Sequence, residues 1–212
     1  MFWMIWTLSH RPPIDGIFLM TPALAVGKPV VLVLASGAGH RFTASGGKLN
    51  KLHAALAGKA VIEHVLESVA ASGLTWHLVT GVEGGMGASV AAGVSATASA
   101  DGWLILPADL PLIQPQSLQH VAAQLLEHAV VVPRRHAIPG HPVGFRKECQ
   151  GRLLQLNGES GAKPVVEWYR SQGLVCDMPM EDDGIVMDID TLSDLARIEK
   201  LIQTSRRPGD PH

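Results

Sequence analysis

Apolar and polar positions along the chain alternate between short continuous runs and helical stripes. Residues 30–35 (VVLVLA) form an uninterrupted apolar run that breaks into a glycine-rich turn. Residues 60–72 carry Val61, Ile62, Val65, Leu66 and Val69 at helical spacing, and Gly73 sits where a helix commonly stops. The pattern then predicts a strand over 74–80, a glycine-dense segment over 81–87 and a small-residue helix over 88–98. Strands follow over 102–107 and 129–133, with a helix over 115–128 between them. Residues 134–144 read as a polar, proline-containing loop, and 157–161 as a turn before a helix near 162–172. The last strand is predicted over 185–189 and the last helix over 192–203.

Strands that alternate with helices, and are continuously apolar, belong in a parallel sheet covered on both faces. The fold class expected is therefore α/β: a three-layer, doubly wound, mostly parallel sheet of Rossmann-like type. Ligands of such sheets bind beyond the carboxyl ends of the strands. The loops after Ala35, Thr80, Pro107 and Pro133 are expected to converge on one crevice.

Composition narrows the function classes. With 47% hydrophobic and 17% charged residues the chain is not disordered as a whole. Its 17 basic and 19 acidic residues leave no basic excess for a nucleic acid polymer, so any anion site must be local. Cys149 and Cys176 have no metal-binding spacing and are read as free thiols. The apolar stretch at residues 1–8 lacks a basic region before it and is too short to span a membrane. Residues 1–28 are read as a leader, disordered or produced by a start codon upstream of Met20. Residues 29–205 are read as one domain and 206–212 as a flexible tail; a cytoplasmic location with no membrane partner is expected.

The glycine-rich turn carries the chemistry. A strand breaking into Gly37 and Gly39, with Arg41, Lys48 and Lys51 behind it, suits a phosphate chain. The GxxxxGK[ST] pattern fails, because Phe42 lies five before Gly47 and Leu49 follows Lys48. The GxGxxG pattern fails at Phe42. What remains is LAxGxGxR with a lysine ten residues after Arg41, a pattern similar to that of nucleotidyltransferases using a nucleoside triphosphate.

Further motifs follow in order: GMGAS at 85–89, PADLP at 107–111, GHPVGF at 140–145, LNGESGAK at 156–163 and DIDTLSDL at 188–195. With LASGAGHRF and Lys51 they resemble the MobA-like NTP transferase family, closest to its molybdenum cofactor cytidylyltransferase branch, over about residues 30–203. The resemblance implies transfer of CMP from CTP to the phosphate of a molybdopterin-type cofactor, with release of pyrophosphate. The product would serve hydroxylases of the xanthine dehydrogenase type, making a molybdoenzyme or its maturation chaperone a partner.

The resemblance also implies roles. Arg41, Lys51 and Asp109 would be catalytic, the two cations neutralising the triphosphate and departing pyrophosphate. Leu34, Ala35, Ser36, Gly37, Gly39, Gly85, Met86, Gly87 and Ser89 would bind the nucleotide. Mg²⁺ would be the cofactor, held by Asp109 and Asp188, oxygen donors of the kind it prefers. Asp190 is the less favoured ligand because, with Thr191, it can cap the final helix. Gly140, His141 and Pro142 would lie on the acceptor side, with His141 binding or positioning. No general base is needed, since a phosphate monoester with a second pKa of about 6 is already ionised.

Two departures from the family pattern stand out: a short segment before GMGAS, and a long loop between Arg41 and Lys51 with FTASGG inserted. Only residues 81–84 separate the strand at 74–80 from GMGAS, where family members usually have a helix and another strand, so one strand fewer is expected. LASG stands where the guanylyl branch usually has LAGG and the cytidylyl branch LAAG; GHPV and DIDT favour cytidylyl. The alternatives are a guanylyltransferase, a sugar- or polyol-phosphate nucleotidyltransferase of the same fold, or a non-catalytic cofactor-binding chaperone.

Overall fold

A computed structural model describes residues 28–37, 40–47 and 50–205. The leader at 1–28, save Lys28, the tail at 206–212, Lys48 and the predicted nucleotide ligand Gly39 lie outside the described residues.

The first apolar run is β1 (Val30–Leu34), followed by the short helix α1 (His40–Ala44). A small hairpin, β2 (Ala55–Leu56) and β3 (Lys59–Ala60), leads into α2 (Val61–Ala71). Then come β4 (Trp76–Val79), α3 (Gly85–Ala96), β5 (Gly102–Pro107) and α4 (Pro115–Gln124). β6 (Val130–Arg135), β7 (Ile138–Pro139) and β8 (Val143–Arg146) follow in quick succession. The chain closes with α5 (Gln150–Leu153), α6 (Lys163–Ser171), β9 (Val175–Pro179) and α7 (Leu192–Ser205).

β1 lies between β4 and β5 and is parallel to both. β8 runs antiparallel between β5 and β6, and β9 is parallel to β6. Alternation along the central strands divides the core into two layers. Leu32, Leu34, Trp103 and Ile105 pack with Val90 and Val94 of α3 and with Val165 and Tyr169 of α6. Val31, Val33, Leu104 and Leu106 pack with Val65 and Val69 of α2 and with Leu118 and Val121 of α4. The predicted three-layer α/β sheet is what forms, mostly parallel with an antiparallel insertion.

Several expectations are corrected. The segment at 134–144 is not loop alone, because β7 pairs with the end of β6 and β8 starts at Val143. Residues 185–189 do not form a strand. A tight turn at Asp183–Ile185 redirects the chain, and Ile185 and Ile189 are buried under the strand ends instead. β9 takes the sheet position, although its VCDMP sequence mixes polar residues and Pro179, as an edge strand tolerates. Finally, α3 begins at Gly85 rather than at residue 88, and β4 reaches it through residues 80–84 alone. The predicted crevice forms after β1, β4 and β5, while the loop after Pro133 turns back as the β6–β7 hairpin.

Candidate active site

β1 ends in a turn held against β4. Ala35 N donates to Val79 O at 2.9 Å and Ser36 Oγ donates to the same carbonyl at 3.3 Å. This turn forms one wall of a cavity of about 500 Å³, through Leu34, Ser36 and Gly37. Pro107, Ala108 and Asp109 at the end of β5 form the floor, with Lys51 and Leu52 beside them. The far wall is Val82 to Met86 and Ser89, closed by Glu159 from a distant loop.

The first turn of α3 has no side-chain cap. Its N-cap, Gly84, is left-handed at φ 98°, and Gly85 follows at φ 86°. The cap comes from the loop at 157–159 instead: Gly158 O accepts from Gly87 N at 2.8 Å, and Gly158 N donates to Gly84 O at 2.9 Å. A Cβ on Gly85 would lie 2.6 Å from the Gly158 carbonyl, so glycine is required there for close approach as well as for φ. This remote cap explains why the helix starts earlier than its apolar pattern suggests. Ser89 is buried and its hydroxyl donates to Gly85 O at 3.3 Å within the helix. Ala35 and Gly87 sit behind the cavity wall; the other predicted nucleotide ligands that are described line it.

Two further carboxylates meet that of Asp109. Asp109, Asp188 and Asp190 each present an oxygen within 4.8 Å of the others. The backbone brings them together: Ile189 N donates to Asp109 O at 3.0 Å, pinning the 188–190 segment across the end of β5. Asp190 takes no part in capping α7 through its carboxylate. Asp194 Oδ2 accepts from Thr191 N, at 2.9 Å, and from Thr191 Oγ1, and Asp194 N donates to Thr191 Oγ1, so Thr191 and Asp194 cap each other.

Asp190 is thereby free to face the cations. Its Oδ2 lies 2.6 Å from Arg41 and its Oδ1 2.9 Å from Lys51 Nζ. Lys51 Nζ also lies 2.7 Å from Asp109 Oδ2. Burial alone would lower the Lys51 pKa, but Asp109 and Asp190 together raise it above the usual lysine value. Burial would raise the Asp190 pKa, and Lys51 and Arg41 override it downward. Asp188 is raised by burial and then by the charges of Asp109 and Asp190. Among the described residues, Asp109 Oδ1 is a buried oxygen without a hydrogen-bond partner. An orphaned carboxylate oxygen with two more carboxylates in reach is a hard, all-oxygen donor set, which fits Mg²⁺ or Mn²⁺.

The 140–142 segment does not line the cavity. Gly140 packs on Ile185, where a Cβ would lie 2.7 Å from Ile185 O. His141 N donates to Ile185 O at 2.8 Å, and its ring contacts Ile105 O at 3.4 Å. The His141–Pro142 peptide is cis, and burial pushes the imidazole pKa down. This geometry steadies the segment that carries Asp188 and Asp190. Two acidic residues on the cavity wall, Glu83 and Glu159, were not among the predicted site residues. Glu159 lies within the LNGESGAK motif, whose presence was the available signal; Glu83 sits in a glycine-dense stretch with no periodicity to mark it.

A crevice of about 500 Å³ at the strand ends, a glycine-built helix start and an acidic cluster with a lysine suit the nucleotidyltransferase class of α/β proteins. The MobA-like NTP transferase domain model matches residues 69–173 of the chain. No curated protein matches the sequence. Solved structures share the fold at low identity. A nucleotidyl transferase from Methanothermobacter thermautotroptrophicus superposes with a TM-score of 0.74 at 20% identity, covering 84% of this chain and 99% of that one. Rv0371C of Mycobacterium tuberculosis, in complex with manganese, gives 0.65 at 19% identity over 83% and 100% of the two chains. The molybdopterin-guanine dinucleotide biosynthesis protein A of Archaeoglobus fulgidus gives 0.56 at 19% identity over 82% and 99%. Among the described residues no helix is long and apolar enough to cross a membrane.

Proposed function

We propose that the chain transfers CMP from CTP to the phosphate of a molybdopterin-type cofactor, releasing pyrophosphate. The observation that carries this reading is the pairing of Lys51 with Asp109 at the floor of a cavity whose far wall is the glycine-built start of α3. The triphosphate suits the Lys51 side, and the nucleoside suits the wall where glycines allow close approach. Cytidylyl rather than guanylyl transfer rests on the GHPV and DIDT sequences.

In the reaction an oxygen of the acceptor phosphate forms a bond to the α-phosphorus, while the bond from that phosphorus to the bridging α,β-oxygen breaks. Pyrophosphate leaves with the bonding electrons. Lys51 and Arg41 supply positive charge to the oxygens that gain it. Asp109, Asp188 and Asp190 would hold the divalent metal, a reading supported by the orphaned Asp109 oxygen and by the manganese complex of the mycobacterial structure. Such a metal supplies Lewis-acid charge to the triphosphate. His141 acts at one remove, by steadying the 185–190 segment beside the acceptor.

The test is pyrophosphate release with CTP or GTP against molybdopterin cofactor and a polyol phosphate. CTP with the molybdopterin cofactor is expected to turn over in wild type, and the Asp109→Ala variant to lose turnover while remaining folded. Turnover with GTP alone would overturn cytidylyl transfer. Retained cofactor with no pyrophosphate from any pair would show a carrier rather than a transferase.

A further inference from the structure

The cavity is divided by charge. At one side it is lined by Lys51 and Asp109, and Asp109 in turn meets Asp188 and Asp190 just outside the lining, where Arg41 pairs with Asp190. At the first turn of α3 the wall instead carries Glu83, Glu159 and Met86, and neither glutamate belongs to that cluster. A carboxylate without a metal or cation beside it repels phosphate, so this side takes the uncharged base.

The backbone position of Glu159 is set by its neighbour Gly158. Gly158 makes two backbone hydrogen bonds to the start of α3, at 2.8 and 2.9 Å. Glu159 Oε1 reaches over Gly85, where a Cβ would come within 2.7 Å of it. Gly161, buried at φ 55°, lies under Met86, with the thioether sulfur 2.8 Å from where its Cβ would stand. One loop thus places an acceptor and a polarizable apolar surface side by side, the surface suited to a base face.

Resting on the nucleotidyl-transfer reading above, we infer that Glu159 reads the base and selects nucleotides whose base presents an exocyclic amine to it. A carboxylate accepts and does not donate. The exocyclic amine of cytosine donates to it, whereas uracil presents a carbonyl oxygen at the same position and meets lone pairs. Glu83 shares the wall, but it is the Glu159 carboxylate that lies over Gly85 beside Met86, which assigns the selection to Glu159.

Calorimetric binding of CTP and UTP to the full chain in the presence of Mg²⁺ tests this. Wild type is expected to favour CTP by about 10- to 100-fold, the range of one hydrogen bond to a charged group. Glu159→Gln, whose amide both accepts and donates, is expected to bring the two affinities close together, with thermal unfolding checking that the fold persists. A Glu159→Gln protein that keeps the wild-type ratio overturns the inference, as does collapse of the ratio in Glu83→Gln alone. Equal wild-type affinity for CTP and UTP overturns it while leaving nucleotidyl transfer standing. A wild type that binds no nucleoside triphosphate removes the nucleotidyl-transfer reading itself, and this inference with it.

Discussion

Lys51 Nζ sits 2.7 Å from Asp109 Oδ2, while Asp109 Oδ1, on the same carboxylate, is buried without a hydrogen-bond partner. One oxygen is thus neutralised by the protein and the other is left for something else. The pair is also well shielded, with side chains only 13% and 15% exposed, so its Coulomb energy is less screened than that of a surface pair.

Replacing Lys51 by Met separates two effects. Turnover is expected to fall by about 10²-fold or more, since a preorganised charge on the triphosphate is lost. Without divalent metal the variant should also lose about 3 kcal/mol of stability, because a shielded partner is removed from two carboxylates. Mn²⁺ should raise its melting temperature more than that of wild type, since Lys51 no longer competes for Asp109 and Asp190. Calorimetric scans with and without Mn²⁺ measure this; an equal shift in both proteins would contradict a metal at these residues.

Gly85→Ala should damage both the fold and the cavity. The new Cβ meets the Gly158 carbonyl at 2.6 Å, and φ 86° is a strained value for any residue with a side chain. A loss of about 1–3 kcal/mol is expected in urea denaturation, with weakened nucleotide binding as the 157–159 loop is pushed away. Ala at Gly151, where a Cβ would meet nothing within 4 Å, is the control and should leave binding unchanged.

Asp182 is an acid with a different task. It is buried, and its carboxylate accepts from Gln114 N at 3.1 Å, Ser117 Oγ at 2.7 Å and Gly184 N at 2.7 Å. Asp182→Ala leaves these donors unpaired at the start of α4 and should cost about 2–3 kcal/mol. Well below the lowered melting temperature, kcat should match wild type, in contrast to Asp109→Ala.

Acid stability should report the link between β6, α6 and β9. The Arg170 guanidinium, and then Arg134, hold the Asp177 carboxyl at about 2 against burial, below its ordinary 3.8. The folded pKa is depressed, so the stabilisation is present above about pH 4 and lost as pH falls through about 2. With the side chain 34% exposed, screening limits it to about 1 kcal/mol. Asp177→Asn should therefore lie below wild type near neutral pH and converge with it near the acid end, as urea midpoints across that range would show.

The central strands were legible because burial on both faces demands the continuous apolar runs at β1, β5 and β6. The helices α2, α6 and α7 were legible because each buries one stripe. β8 was hidden inside a polar segment: its VGFR sequence pairs on both sides only because β5 and β6 leave a gap between them. Ile185 and Ile189 misled in the opposite direction, since residues buried under strand ends look the same in a one-dimensional pattern as residues within a strand. Asp190 resembles a helix cap in the sequence, but Thr191 and Asp194 cap the helix reciprocally and leave it free.

The alternation of strands and helices, the glycine-rich turn as a phosphate-binding candidate, and Asp109 at the end of an apolar strand are all readable from the chain alone. Those follow from local propensity and periodicity, which the chain carries residue by residue. Folding adds that Asp188 and Asp190 both face Asp109, that Lys51 is shared between two of them, and that Gly158 caps α3 and brings Glu159 to the cavity. Each of these depends on backbone hydrogen bonds between segments far apart in the chain, and no local pattern encodes such a partner.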